Sequence, residues 1–384
     1  MSDDVIDIAV LGGGCAGLGF AMQYAGTKSQ ETVTIFENRK NYQGDRHWSF
    51  WLHNKDHFIH RDILKSEWSE WSFSKGGTEY LHQSHEYAYC TIDSADYYQK
   101  AQSIIESDNR LFLNLGIDVF NVSYDEESKL YNIDTSKGQY QARKIIDCRS
   151  HYEAPQKDYA IYQIFYGAVI ESKNAFVNHQ AGLMTNMTHE DHGFSFLYLL
   201  PFSKDKALIE YTVFSKIVFP PEILKPFLSK YLDDYFQNYD ILKEEQAILP
   251  MNVFIDYNQR LELEISYIRL GKDTGALRAA TGYGFVNIYK QINDLILNLN
   301  DFSKVNKTPN ALLNWMDRVL LKIIHDHPQK MPNIFLALSK NMPTNSFARF
   351  MNNNPNYYDI VRLIMAVPPK PFMKAALSRD TQNF

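Results

Sequence analysis

The sequence predicts an α/β chain: a Rossmann-type parallel sheet, a mostly antiparallel β-sheet inserted into it, and a helical C-terminal region. Three observations predict this. An apolar run at Val5–Leu11 meets Gly12-Gly13-Gly14-Cys15-Ala16-Gly17 and passes into a helical pattern. Longer alternating runs begin near Tyr159, and strand, glycine-rich turn and helix return at Tyr267–Tyr289. From Ala311 onward the periodicity is helical, broken at Pro328, Pro332, Pro343, Pro355 and Pro368-Pro369.

At 384 residues, two interleaved domains fit better than one, and the core needs no staples. The spans expected are 1–155 for the first part of the dinucleotide domain, 156–266 for the inserted sheet, 267–305 for the return segment and 306–384 for the helical region. Charged residues make up 22% and aromatic residues 14%, which excludes a disordered chain. A net charge of -6 argues against a nucleic-acid binder. Cys15, Cys90 and Cys148 form neither a disulfide framework nor a zinc ribbon, and a reducing, cytoplasmic compartment is the natural reading. The acidic start, Met1-Ser2-Asp3-Asp4, is not that of a signal peptide, and no apolar run is long enough for a spanning helix.

The elements follow in order. After the first strand, turn and helix, a second strand at Thr32–Phe36 ends at Glu37. Gly44 to Trp51 reads as an aromatic-polar loop, and Gly76-Gly77 marks a turn. Thr91–Ser107 has helical spacing with Ser94 as its cap. Short strands are expected at Arg110–Leu115, Asp118–Tyr124, Leu130–Asp134 and Gln139–Cys148. The inserted sheet takes Ile161–Ile170, Phe194–Leu200 and Ala207–Phe214, interrupted by a helix from Pro221 to about Tyr239. An apolar helix follows at Val286–Leu299.

Gly12-x-Gly14-x-x-Gly17 between strand and helix has a mechanism. The first glycine permits the tight turn, the second lets backbone N–H groups approach a pyrophosphate, and the third lets helix and strand pack closely. Glu37, 20 residues past Gly17, can accept hydrogen bonds from ribose hydroxyls. The competing reading is a glycine-rich turn with no ligand, and the motif alone does not separate FAD from NAD. His53, His57 and His60, and the pair His189 and His192, match no familiar ligand set, so no metal site is predicted.

Leu208-Ile209-Glu210-Tyr211-Thr212 places one carboxylate inside an alternating strand. A lone Glu there is ordinarily on a solvated face. The aromatic strand nearby, Phe194-Ser195-Phe196-Leu197-Tyr198, argues otherwise. A carboxyl desolvated among aromatic rings has a raised pKa and can act as a general acid.

Taken in order, Gly-Gly-Gly-Cys-Ala-Gly-Leu-Gly at 12–19, Gly-Asp-Arg-His-Trp-Ser-Phe-Trp at 44–51, Ile-Ile-Asp-Cys-Arg-Ser at 145–150, Leu-Pro-Phe-Ser at 200–203 with Leu-Ile-Glu-Tyr-Thr at 208–212, and Gly-Ala-Leu-Arg-Ala-Ala-Thr-Gly-Tyr-Gly-Phe at 275–285 resemble the lycopene β-cyclase family. The resemblance spans roughly residues 5 to 290. It implies the aromatic-hydroxylase-like flavoprotein fold and non-covalent FAD, with NADPH as a possible reductant. Cofactor contacts then fall on Gly12, Gly14, Ala16, Gly17, Glu37, Arg46, Trp48, Asp147, Gly282 and Tyr283. The family's essential acid falls on Glu210.

The reaction implied is redox-neutral. An acyclic end of lycopene or a related carotenoid is protonated, the cation is attacked by a nearby double bond, and proton loss leaves a β-ionone ring; the flavin is required in reduced form. Two departures stand out. Tyr211 occupies the place of a second acid in many members, and a Met-Asp pair appears as Met184-Thr185, which leaves the proton acceptor open. Two other activities fit the same motifs: an FAD-dependent monooxygenase or reductase, and a non-catalytic polyene-binding relative.

Residues 311–384 carry nine Lys/Arg and four Asp/Glu, a net +5 in a chain of net -6. Leu312, Met316, Val319 and Ile323 fall on one helical face beside Trp315, with Arg318 and Lys322 near by. This predicts a protein peripheral on the inner face of a membrane, although the same face would serve for packing on the core.

Overall fold

Alternation of short apolar strands with helices builds the first layer. The computed structural model describes residues 5–150, 157–177, 179–252, 265–271, 274–305 and 310–384. Strand β1 (Ile6–Leu11), helix α1 (Cys15–Tyr24) and strand β2 (Val33–Glu37) form the opening unit, with β1 and β2 parallel.

The segment read as an aromatic-polar loop is instead strand β3 (His47–His53). It pairs with β7 (Tyr87–Asp93), which also pairs β4 (Ser66–Trp68), in a small sheet of its own. Between them β5 (Glu70–Lys75) and β6 (Thr78–Gln83) form a hairpin about Gly76-Gly77. Helix α2 (Ser94–Ser107) starts later than its spacing implies. Its cap is Asp93, whose carboxylate accepts from the Ala95 N–H, rather than Ser94.

Strands β8 (Leu111–Leu115), β9 (Val119–Asp125), β10 (Leu130–Thr135) and β11 (Gly138–Asp147) complete most of the first sheet. Its parallel part runs β8-β2-β1-β11, and the β9–β10 hairpin lies antiparallel along the first half of β11.

The second sheet follows with β12 (Tyr162–Glu171), β13 (Gln180–Glu190), β14 (Gly193–Pro201) and β15 (Lys206–Ser215). Helix α3 (Lys225–Tyr235) is shorter than expected, because the chain turns into β16 (Asp240–Pro250). The order is β16-β12-β15-β14-β13-β5-β6. This sheet therefore extends beyond the inserted stretch: the β5–β6 hairpin, far earlier in the chain, joins it through a parallel β5–β13 contact. The expected domain boundary near 156 and the start of the helical region at 306 lie outside the described residues.

Strand β17 (Tyr267–Arg269) then returns to pair parallel with the end of β11, and α4 (Phe285–Leu297) packs beside α1 in the first core. The chain ends in α5 (Ala311–Asp326), α6 (Met331–Asn341), α7 (Thr344–Met351), α8 (Tyr357–Ala366) and α9 (Pro369–Ala376).

These last helices bury apolar faces against one side of the second sheet. Phe194 stacks on Phe335, and Leu208, Phe214 and Trp71 share that core with Val319 and Ile323. The α5 face expected to meet a membrane is thus half used up: Val319 and Ile323 are buried, while Leu312 and Trp315 stay exposed. The other side of the sheet packs on α3 through Ile164, Ile209, Leu228 and Leu232. Among the described residues no helix is long and apolar enough to cross a membrane.

Candidate active site

The glycine loop joins β1 to α1 as its spacing dictates. Gly12 takes φ +97°, a left-handed conformation that costs glycine little, and a Cβ at Gly17 would lie 2.0 Å from the Gly12 carbonyl oxygen. A Cβ at Gly14 would meet nothing within 4 Å. Gly14 is also the N-cap of α1, and no side chain caps that helix end. An open, uncapped helix N-terminus fits a pyrophosphate, and Gly12, Gly14, Ala16 and Gly17 are the residues that could hold it.

Glu37 sits beside this loop. Its Oε2 accepts from the Gly13 N–H at 2.7 Å, and its Oε1 from Arg39 Nε at 2.9 Å. Burial works against its charge, but the Arg39 and Gly13 hydrogen bonds outweigh it and hold the carboxyl below its ordinary value. A carboxylate kept ionised there can accept from ribose hydroxyls.

The remaining cofactor candidates divide. Arg46 pairs with Asp45, and its charge reaches Cys15 at the start of α1, where burial nonetheless pushes the thiol up to about 12. Trp48 is edge-on to Tyr97 and Tyr98 and tilted against Phe285, so its ring is a packing surface. Asp147 is fully buried and bonded by Arg149 and by the Tyr267 hydroxyl; it braces the turn against which Gly12 packs. Gly282 (φ +73°) and Tyr283 lie at the N-terminus of α4. Tyr283, one of the expected cofactor contacts, has its hydroxyl 2.8 Å from that of Tyr89, which lies 2.5 Å from that of Tyr198.

Glu210 is buried on β15, on the sheet face that carries Leu208, Thr212 and Phe214. Tyr198 of β14 is its register partner on one side and Gly167 of β12 on the other. Gly167 is also the partner of Glu245 on β16. One row across the sheet therefore reads Glu245, Gly167, Glu210, Tyr198. A Cβ at Gly167 would lie 2.6 Å from Glu210 Cγ, so glycine leaves the space in which the two carboxyl groups hydrogen-bond each other.

Burial, then the Glu245 charge, then the hydrogen bond to Glu245 raise the Glu210 pKa well above its ordinary value. Two buried carboxyls in contact resist ionising together, so the pair as a unit retains a proton. Tyr211, next in sequence, points to the opposite side, where it stacks on Phe227 and donates to Ser195 Oγ at 3.2 Å.

Glu245 in turn lies 2.8 Å through Oε2 from His47 Nδ1. Neither residue was given a role from the sequence, although His47 lies within the cluster at 44–51. Glu245 sits in the charged run Lys243-Glu244-Glu245-Gln246, and His47 in a segment without strand alternation. The signal that could have found Glu245 is the period of two in Lys243, Glu245, Ala247 and Leu249, which puts these four residues on one face of β16.

The histidines set aside as ligands are dispersed. His60 is buried and pushed down to about 4 by burial and then by Lys100, while His189 and His192 flank the β13–β14 turn. Among the described residues no group of three or more His, Cys, Asp or Glu side chains could hold a metal.

A family model described as lycopene cyclase protein matches residues 7–377 of the chain. No curated protein matches the sequence significantly. Among solved structures the chain is similar to a flavoprotein/dehydrogenase from Cytophaga hutchinsonii, at 13% identity and TM-score 0.60, covering 97% of this chain and 99% of that one. It is similar to halogenase PltM in complex with phloroglucinol and FAD, at 11% identity and TM-score 0.58, covering 97% and 86%. It is also similar to a geranylgeranyl bacteriochlorophyll reductase-like protein from Thermoplasma acidophilum, at 11% identity and TM-score 0.54, covering 99% and 98%. At these identities the likeness is one of fold: a Rossmann-type flavoprotein domain carrying a second sheet.

Proposed function

The chain belongs to the lycopene cyclase family, and on that premise we propose that it is a carotenoid cyclase, turning the acyclic ends of lycopene or a related polyene into β-ionone rings. The observation that carries this reading is the buried contact of Glu210 with Glu245 across Gly167. Protonating an alkene needs an acid that keeps its proton at neutral pH in a dry site, and this pair supplies one.

Glu210 delivers its proton to the terminal double bond, forming a C–H bond and a tertiary cation. A nearby double bond attacks that cation and closes the ring by a new C–C bond. The ring cation then sheds one proton, so one proton enters, one leaves and no electrons are consumed. The rings of Tyr198 and Tyr283 beside Glu210 favour a cation by about 0.5–2 kcal/mol each when desolvated. Burial of Glu210 excludes the water that would trap it.

FAD is the cofactor this reading calls for: Gly12, Gly14, Ala16 and Gly17 would hold its pyrophosphate and Glu37 its ribose, with Arg46, Trp48, Asp147, Gly282 and Tyr283 as the further contacts. Bound there in its reduced form, with NADPH as the reductant, the flavin would supply negative charge that favours the cation.

The polyene comes from a membrane, and the exposed apolar side chains of the last two helices and the turn after them are the docking surface. Tyr357, Tyr358, Ile364, Met365, Met373 and Leu377 are exposed beside Arg362, Lys370 and Lys374, a pairing suited to an anionic lipid surface.

Carotenoids extracted from a lycopene-accumulating host expressing this chain test the function. Ringed products that vanish with Glu210→Gln are expected; unchanged lycopene with the wild-type chain overturns the reading. Steady NADPH oxidation coupled to a saturated or oxygenated product favours flavin redox chemistry instead.

A further inference from the structure

Glu210 gives up one proton per ring, yet neither it (8% exposed) nor Glu245 (6%) has open access to water. A chain of titratable groups leads from this pair toward the surface. His47 Nδ1 lies 2.8 Å from Glu245 Oε2, with a side chain only 3% exposed. Phe202 is stacked on the imidazole, with ring centroids 5.4 Å apart. The other ring nitrogen, Nε2, is buried without a hydrogen bond and lies 3.5 Å from Asp93 Oδ2, about 0.3 Å beyond the ordinary N–H···O range.

Asp93 is 17% exposed and is the first member of the chain with real access to solvent. Its Oδ1 caps α2, which leaves Oδ2 to His47 and to Lys243 Nζ at 3.7 Å. The chain joins β15, β16, β3 and the start of α2, so it exists only in the assembled fold.

We propose that Glu245, His47 and Asp93 form a proton path that reloads Glu210 from solvent after each ring closure. The path rests on the reading of Glu210 as the acid. An unpaired buried imidazole nitrogen carries a desolvation cost, and a relay gives it a use. His47 passes its Nδ1 proton to the Glu245 carboxylate, and Glu245 passes one to Glu210. The imidazole takes a new proton at Nε2 by way of Asp93, and reorientation of the ring between turnovers returns a protonated nitrogen to Glu245. One proton is drawn from water for each that Glu210 delivers, and the one shed by the ring cation returns to water, so the cycle is balanced.

The test reads the Glu210 proton directly. The infrared C=O stretch of the buried acid, identified by its loss in Glu210→Gln, shifts when the protein is moved into D2O. His47→Gln removes the relay, and Asp93→Asn keeps the helix cap but cannot carry a proton. Exchange at Glu210 slows by roughly 10²-fold in each, the lower end of what a positioned proton donor contributes. A merely structural role for His47 or Asp93 does not move this rate in a folded variant that retains FAD. Unchanged exchange in both variants overturns the path. So does carotenoid product made over many turnovers in D2O without deuterium, because Glu210 would then be recycling the substrate's own proton. Absence of any ringed product from the wild-type chain would count against the cyclase reading alone, since the exchange measurement needs no substrate.

Discussion

Glu210 and Glu245 hydrogen-bond each other from strands that do not pair: β15 and β16 each pair with β12, on opposite sides, and both residues take Gly167 as their register partner. The acid depends on a residue without a side chain. Gly167→Ala places a methyl group 2.6 Å from Glu210 Cγ and forces the carboxyls apart. Ring formation is expected to fall sharply while stability drops by only about 1–3 kcal/mol, as for overpacking. Chromatography of products alongside thermal unfolding checks this.

Glu210→Gln keeps the shape of the acid but cannot protonate carbon. Single-turnover cyclisation with pre-reduced FAD is expected to fall by about 10²–10⁴, with FAD content unchanged. Tyr211→Phe, on the far face of the same strand, is expected to be mild. Near-normal turnover by Glu210→Gln would place the proton source elsewhere.

The raised pKa of Glu210 has a definite sign for stability. Below the ordinary carboxyl value of about 4.3 neither the folded nor the unfolded form of this residue is charged, and its contribution is fully present. As pH rises the unfolded chain ionises while the folded residue holds its proton, so that contribution is lost until the folded value is passed. Glu210→Gln should therefore gain stability over wild type on going from about pH 4 to pH 8, measured by thermal unfolding. Wild-type activity should fall at alkaline pH as the acid ionises.

Two loop glycines should fail differently. A side chain at Gly14 points into open space, so Gly14→Val is expected to fold normally and lose FAD, read from flavin absorbance. A Cβ at Gly17 lies 2.0 Å from the Gly12 carbonyl oxygen, so Gly17→Val is expected to destabilise the fold itself. Full FAD occupancy in folded Gly14→Val would refute the pyrophosphate assignment.

Liposome flotation tests the docking surface. Ile364→Asp with Met365→Asp, both at exposed positions of α8, should weaken binding to anionic vesicles without changing thermal stability. Unaltered flotation would remove this face from the account.

The glycine loop was legible because its pattern is local: strand, three glycines, helix and a carboxylate at the next strand end all lie within residues 6–37. Glu210 was legible because its own strand is apolar and its neighbour aromatic, which already implies desolvation. The β3 strand, the capping of α2 by Asp93 and the burial of half the α5 face were not, since each depends on packing partners distant in sequence. Glu245 and His47 were hidden for a stronger reason. In a Lys-Glu-Glu-Gln run the local pattern reads as a solvated surface, and only the pairing of β16 with β12 turns alternate residues inward. Strand register is a long-range property: a shift of one residue would send Glu245 to water and put Glu244 or Gln246 opposite Gly167 in its place. The sequence determined by itself where the glycine loop and one buried carboxyl lie. The tertiary structure alone decided that the acid has a partner, because the two carboxyls are brought together by a third strand and by the empty space above its glycine.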